Sequence, residues 1–326
     1  MMNTSERDIH ILRYFSSFIS VSDGKVINVT EPSLAFCPLA SHLYKGFKNI
    51  ECVDKEAVKR EIKKAIESKI SDYGFFTPKR KLLCGDTAIP YGASEMLMFA
   101  LKGKAIDAAV IVCDGAGTVV TDNGEVVQGI GARMNSLLLT SPIKEIISRL
   151  KALGVYVIFD NALIDQVKGV EKAIDAGYKN IAVTISGHDS EKLKEIRRLE
   201  SSGDATITIL VVCTTGITSA KIDEIRRYAD IVWSCASWDI RQKIGAIALL
   251  QISKQIPVFV LTQKGVDFLG AYADNCDSLS DLDGSKQYLI SNEPVGEKVR
   301  LGNFNSFLRE EKLPALSEKS FAMANS

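Results

Sequence analysis

Cys113–Gly131 reads CDGAGTVVTDNGEVVQGIG and directly follows the apolar run DAAVIV at Asp107–Val112. A strand that ends in a glycine-rich loop is either a phosphate cradle or some other device. A dinucleotide loop needs Gly-x-Gly-x-x-Gly opening a helix, so that free N–H groups meet the pyrophosphate. Here Gly115-Ala116-Gly117 is followed by Thr118-Val119-Val120-Thr121, whose β-branched side chains suit a first helical turn poorly. Asn123-Gly124 is then the strongest short hairpin signal, and Val126-Val127 resume an extended pattern. Gly129-Ile130-Gly131 also lacks a third glycine. The stretch reads as a strand, a glycine bend at Gly115 and Gly117, and a small hairpin walling a site. No dinucleotide is expected.

Outward from this stretch, short β-branched runs alternate with amphipathic ones. Strands are expected at Ile106–Cys113, Val155–Phe159, Asn180–Ser186, Thr206–Cys213, Asp230–Ser234 and Pro257–Leu261. Helices are expected at Pro142–Leu153, capped by Ser141, and at Gln166–Gly177, Ser190–Ser201, Ser219–Tyr228 and Trp238–Ser253. Alternation over this many cycles predicts an α/β fold with a doubly wound, mostly parallel sheet. An α/β barrel-like closure is the alternative. The expected organisation is an N-terminal α+β subdomain over residues 1–104, an α/β domain over 105–275 and an irregular extension over 276–326. The N-terminal part holds a short strand around DGKVINVTEP, a helix at Asp54–Ile70 and a helix ending at Gly103.

Forty basic and forty acidic residues cancel, and no Lys/Arg cluster makes a nucleic-acid footprint. No run approaches the roughly 18 apolar residues of a membrane span, and no secretory signal is visible. Seven cysteines, an odd number, are scattered along the 326 residues. That spacing favours free thiols in a reducing compartment, hence a cytoplasmic protein, and the balanced charge and lack of a long apolar run leave neither nucleic acid nor membrane as an expected partner.

In open α/β sheets ligands bind at the carboxyl ends of the strands. Those ends carry Cys113 and Asp114, Asp160 and Asn161, Ser186 and His188, Cys213-Thr214-Thr215, and Ser234, Cys235 and Ser237. Asp114 suits an acid/base or ligand role, and Cys113 or Cys235 a reactive sulfur. Cys213 and Cys235 each precede a helix start, where the macrodipole would lower a thiol pKa. Thr214, Thr215 and Gly216 offer hydroxyls and N–H groups to an anion, and Arg133 could add a bidentate clamp. Asp160 completes the ligand-binding set together with Gly115 and Gly117. Cys37, Cys84, Cys113 and Cys235 are the candidate ligands for a metal or iron–sulfur cluster assembled from distant loops. No Cys-x-x-Cys pair supports zinc, and the histidines number only three.

The phrases AAVIVCDGAGTVV, VQGIGARM, SPIKEII, IDQVKGVEKAIDAGYKNIAVTI and CAS resemble the methanogenesis marker protein 8 family, an archaeal and bacterial group. The similarity runs from FCPLA, which contains Cys37, to about Leu269. It implies an association with anaerobic one-carbon metabolism and no particular reaction. It also implies a cysteine where this chain has Phe76 in GFFTP. Two function classes follow. One is an enzyme that binds a small anionic metabolite at the strand ends and uses thiol and carboxylate chemistry. The other is a non-catalytic accessory factor with a protein partner in an anaerobic pathway, maturing a cofactor or delivering sulfur or metal.

Overall fold

Gly115 and Gly117 adopt φ of 77° and 70°, a left-handed conformation that costs glycine nothing. They turn the chain straight back on itself. The computed structural model describes residues 7–33, 55–273, 279 and 282–317. In chain order these form β1 (His10–Tyr14), β2 (Ser17–Ser22), β3 (Lys25–Val29), α1 (Lys55–Tyr73), α2 (Ala93–Lys102), β4 (Ala108–Cys113) and β5 (Gly117–Thr121). Next come α3 (Gly124–Gly131), β6 (Ser136–Thr140), α4 (Lys144–Ala152), β7 (Tyr156–Val157), α5 (Gln166–Asp175) and β8 (Asn180–Ser186). Then follow α6 (Leu193–Ser202), β9 (Thr206–Val212), α7 (Ser219–Tyr228), β10 (Ile231–Trp233), α8 (Trp238–Lys243) and β11 (Leu250–Ile252). The last elements are β12 (Val258–Val260), α9 (Gln263–Gly270), β13 (Tyr288–Ser291), β14 (Glu297–Leu301) and β15 (Phe304–Glu310).

The sheet departs from the doubly wound, mostly parallel expectation. Eleven strands run in the order β14-β15-β13-β11-β12-β10-β9-β8-β4-β5-β7, and four more form a separate antiparallel sheet, β3-β2-β1-β6. In the large sheet only β4–β8, β8–β9, β9–β10 and β11–β13 pair in parallel; the other six pairs are antiparallel. Among the described residues the sheet is open, with β14 and β7 at its edges, and the barrel-like alternative is not formed.

Three local causes produce the difference. The Gly115–Gly117 turn makes β4 and β5 a hairpin, pairing Cys113 with Gly117. A helix was expected through Ser253, but α8 stops at Lys243 and β11 pairs antiparallel with β12. Polar text past residue 282 supplies β13, β14 and β15 to the same sheet. The hairpin expected at Asn123-Gly124 is instead a helix start: Asn123 Oδ1 accepts from Glu125 N at 2.9 Å and Val126 N at 3.3 Å. Ser141, expected to cap α4, instead pins β1, accepting from Ile9 N at 2.9 Å and donating to Ile9 O at 3.1 Å.

The central parallel strands retain the pattern of a doubly covered sheet. Ala109, Ile111 and Cys113 of β4 pack with α2, α3 and α4, while Ala108 and Val110 pack with α5, α6 and α7 on the opposite face. A third cluster joins Val58, Ile62 and Ile66 of α1 to Leu12, Ile19 and Val21 of the small sheet. Among the described residues no helix is long and apolar enough to cross a membrane.

Under the glycine turn lies a fully buried ion pair. Arg80 Nε donates to Asp114 Oδ1 at 2.8 Å, and Phe76 N donates to Asp114 Oδ2 at 2.7 Å. The remaining guanidinium groups donate to Lys81 O and Ile130 O, with the Phe75 ring 3.6 Å from the guanidinium carbon. Every charge is thus partnered, as burial requires. Replacing Arg80 by Ala strands the Asp114 carboxylate and should lower unfolding free energy by about 3–5 kcal/mol in urea titrations. An added Cβ on Gly117 would lie 2.3 Å from Ala162 O. Gly117→Ala should therefore cost more than the roughly 1–2 kcal/mol of left-handed strain alone, which the same titration would read.

Candidate active site

The carboxyl ends of β8, β9 and β10 face the small sheet across a cleft made of two adjoining cavities, about 250 and 240 Å³. Ile89, Met134, Asn135, Ser136, Cys213, Trp233 and Cys235 line both. The small sheet contributes Arg13, Tyr14, Phe15 and Ser16 from β1 and its turn; His188 and Thr215 come from the loops after β8 and β9. Tyr91, Ile256 and Val258 give the first cavity apolar walls beside Ser253 and Gln255, while Glu95, Gln166 and Asp189 are among the polar residues that line the second.

The walls are held by groups behind them. Glu95 accepts from Ala88 N at 2.9 Å, Ile89 N at 3.2 Å and Gln128 Nε2 at 3.0 Å, fixing the segment that carries Ile89. Trp233 Nε1 donates to Tyr91 O at 2.8 Å. Lys69 of α1 donates to Arg133 O and to Asn135 Oδ1. Burial, with the charges of Arg133 and Arg80 nearby, pushes the Lys69 amine down to about 7.

Ten non-glycine described residues have positive φ, and six of them line this cleft: Phe15 (52°), Ser16 (61°), Arg133 (64°), Cys213 (58°), Cys235 (47°) and Ser253 (67°). Such conformations persist only where the surroundings over-determine them, and they concentrate at ligand sites. Arg241, itself buried, donates from Nη2 to Cys235 O at 2.7 Å and so helps hold that bend.

The polar groups converge at one end. Arg13 Nη1 contacts both ring nitrogens of His188, 3.1 Å from Nδ1, and His188 Nε2 lies 3.1 Å from Thr215 O. Burial, and then the charge of Arg13, hold the His188 imidazolium below its ordinary 6.5. A Cβ on Gly216 would sit 2.9 Å from Arg13 Nη2, so this loop glycine lets the guanidinium approach. Cys213 runs against the expectation of a lowered pKa: burial, then the neighbouring Cys235, push it up to about 12, while Ser136 and Arg13 pull the other way.

The expected site residues therefore divide. Cys213, Thr215, Cys235 and Arg133 line the cleft, and Gly216 stands behind Arg13. Cys113 and Asp114 are fully buried beneath the glycine turn, and burial, reinforced by Asp114, drives the Cys113 thiol well up. Gly115 belongs to the same turn, its N–H donating to Thr140 Oγ1, and Gly117 packs against Ala162. Thr214 is buried, donating to Trp233 O at 2.7 Å, and Asp160 is at the surface with Lys151. Cys84 donates toward Asp86 O, and Cys37 lies outside the described residues. Among the described residues no three His, Cys, Asp or Glu side chains converge to hold a metal ion. Arg13 and Ser136 escaped the strand-end filter because they belong to the second sheet. His188 stood at a strand end but carried no motif.

Residues 10–273 match the family described as uncharacterized protein conserved in archaea (DUF2099). The chain is also 39% identical over 278 residues to the protein of Methanocaldococcus jannaschii described as "Uncharacterized protein MJ0054", covering 85% of this chain and 94% of that one. A match over the whole span from β1 to Ala273, cleft residues included, shows that this chain belongs to the DUF2099 family of proteins conserved in archaea.

Proposed function

We propose that the protein is a cytoplasmic enzyme that binds a small anionic metabolite in this cleft and acts on it with thiol chemistry. The resemblance to the methanogenesis marker group supports a place in anaerobic one-carbon metabolism. One observation carries the reading: Arg13 and His188 meet two thiols, Cys213 and Cys235, on a single apolar, aromatic-walled cavity. A half-buried guanidinium in such a setting gains most from a bound carboxylate, phosphate or sulfonate. Trp233, Tyr91 and Ile256 offer an apolar body its contacts, and a cavity of about 250 Å³ suits a compact molecule. The buried Asp114 has no place in this chemistry; the thiols do.

Two free thiols side by side on one wall, Cys213 and Cys235, also suit a second reading, an accessory factor that hands on sulfur or metal instead of turning over substrate. That reading requires a stable protein partner and no catalysis. Co-purification from an archaeal host, set against turnover assays on the anions below, separates the two.

Trp233 and Trp238 are the only tryptophans, so Trp233 fluorescence in a Trp238→Phe background reports on the cleft. Titration with benzoate, benzenesulfonate and phenylphosphonate should give a saturable change for at least one. Arg13→Ala should weaken that binding by about 10- to 150-fold, the worth of a charge-assisted hydrogen bond of roughly 1.5–3 kcal/mol. Saturation by none of the three anions sinks the reading.

His188 adds a pH dependence. Its pKa lies below 6.5 in the free protein, so the ring is neutral at pH 7; a bound anion favours the imidazolium and draws in a proton. Affinity should rise as pH falls below 6.5, and His188→Gln should flatten the profile. By the same linkage the free protein loses stability over that window, because the unfolded histidine protonates first. Calorimetric titration at two pH values in buffers of different ionisation enthalpy measures the proton uptake directly.

A further inference from the structure

Cys213 and Cys235 are more than two thiols that share a wall. They follow the adjacent parallel strands β9 and β10, whose register pairs Val211 with Val232. Continued by that register, the two residues stand one position out of step, and a strand spacing of about 4.8 Å with a rise of roughly 3.3 Å sets their α-carbons about 5.8 Å apart. That falls inside the roughly 4.4–6.8 Å over which α-carbons can be bridged by a disulfide. The loops stay together past the strands: Thr214 Oγ1 donates to Trp233 O at 2.7 Å, and Ala236 N donates to Thr215 Oγ1 at 3.2 Å. Both cysteines are free, both take left-handed backbone, and both face the same two cavities. Their thiols lie within electrostatic reach of each other.

We infer that Cys213 and Cys235 form a redox-active dithiol that reduces a low-molecular-weight disulfide admitted to the cleft and becomes an intramolecular disulfide. This deepens the metabolite-binding reading above and rests on it. The Cys235 sulfur attacks one sulfur of the incoming disulfide; a Cys235–S–S–R bond forms, and the first RS⁻ leaves, taking up the proton that Cys235 gave up. The Cys213 sulfur then attacks Cys235 sulfur, the Cys213–Cys235 bond forms, and the second RS⁻ leaves with the Cys213 proton. Two electrons and two protons pass from the protein to give two RSH, as exchange through a mixed disulfide requires. Burial keeps Cys213 protonated until that second step, so the first attack falls to Cys235. Arg13, beside Cys213, stabilises the transient thiolate and the anionic group of the incoming molecule.

The test uses the full-length protein, reduced and handled without oxygen. It is exposed to the anionic disulfide dithiobis(nitrobenzoate) or to the uncharged dithiodipyridine, acid-quenched and mapped by mass spectrometry. Lys221, Arg226 and Arg227 separate the two cysteines on trypsin. The expected product with both reagents is the Cys213 peptide joined to the Cys235 peptide, two hydrogens lighter than the reduced pair. The anionic reagent should act at least about tenfold faster, an electrostatic advantage that Arg13→Ala removes. Cys213→Ser should stop at a stable Cys235 adduct, and Cys235→Ser should yield neither link nor adduct at Cys213. A persistent Cys235 adduct in the unmodified protein, with no link from either reagent, overturns the dithiol; if that adduct still forms faster with the anionic reagent, the metabolite reading survives. Linking at equal rates by both reagents keeps the dithiol and removes the anion preference.

Discussion

The buried pairing of Arg80 with Asp114 is the constraint on which the rest hangs. Asp114 follows the last residue of β4, at the start of a turn that only glycines can make. Its carboxylate is held by a guanidinium and by the Phe76 N–H, both from the segment after α1. One interaction thus ties β4 of the large sheet to the helix that packs on the small one. The same guanidinium reaches Ile130 O near the end of α3. A buried charge pair offers little net stabilisation by itself, but its geometry admits few alternatives, and losing either partner is expensive. In this chain that intolerance fixes how the two sheets meet.

Their meeting creates the cleft. Neither sheet holds a complete site: the large one brings thiols, a histidine and an aromatic wall, and the small one brings the guanidinium and Ser136. Six strained backbone positions around the same space show that packing elsewhere imposes conformations which those residues would not choose alone. An arrangement imposed in this way is preorganised, because the side chains are placed before any ligand arrives.

Much of this could be read from the residues, and the failures have physical causes. Asn180–Ser186 and Ser219–Tyr228 run between the same residues as expected, since β-branched runs and amphipathic periods dominate there. Cys213, Thr215 and Cys235, expected at strand ends, line the cleft because the central parallel strands end there. The strand-end filter also selected Cys113 and Asp114, whose strand end is closed by its own hairpin and covered by Arg80. Sequence spacing cannot show that a strand end is occupied. The sheet's overall direction was misread because direction depends on turns: two glycines reverse β4 into β5, and β11 is only three residues long within a stretch of helical composition. Asn123-Gly124 suits a hairpin and a helix cap equally well, and tertiary packing chose the cap.

The polar end of the cleft joins residues far apart in the chain: Arg13 and His188 are separated by 175 residues, and His10 reaches Thr140 across 130. Closing loops of this length costs more chain entropy than forming hairpins and helices, so these contacts depend on the packing that surrounds them. During synthesis β1 leaves the ribosome long before β6, β8 and β9 exist to receive it. The small sheet closes one side of the space into which Cys213 and Cys235, just past β9 and β10, face. The cleft is thus complete only once the two sheets have met, and the cysteines that line it share their enclosure with residues as distant in the chain as Arg13.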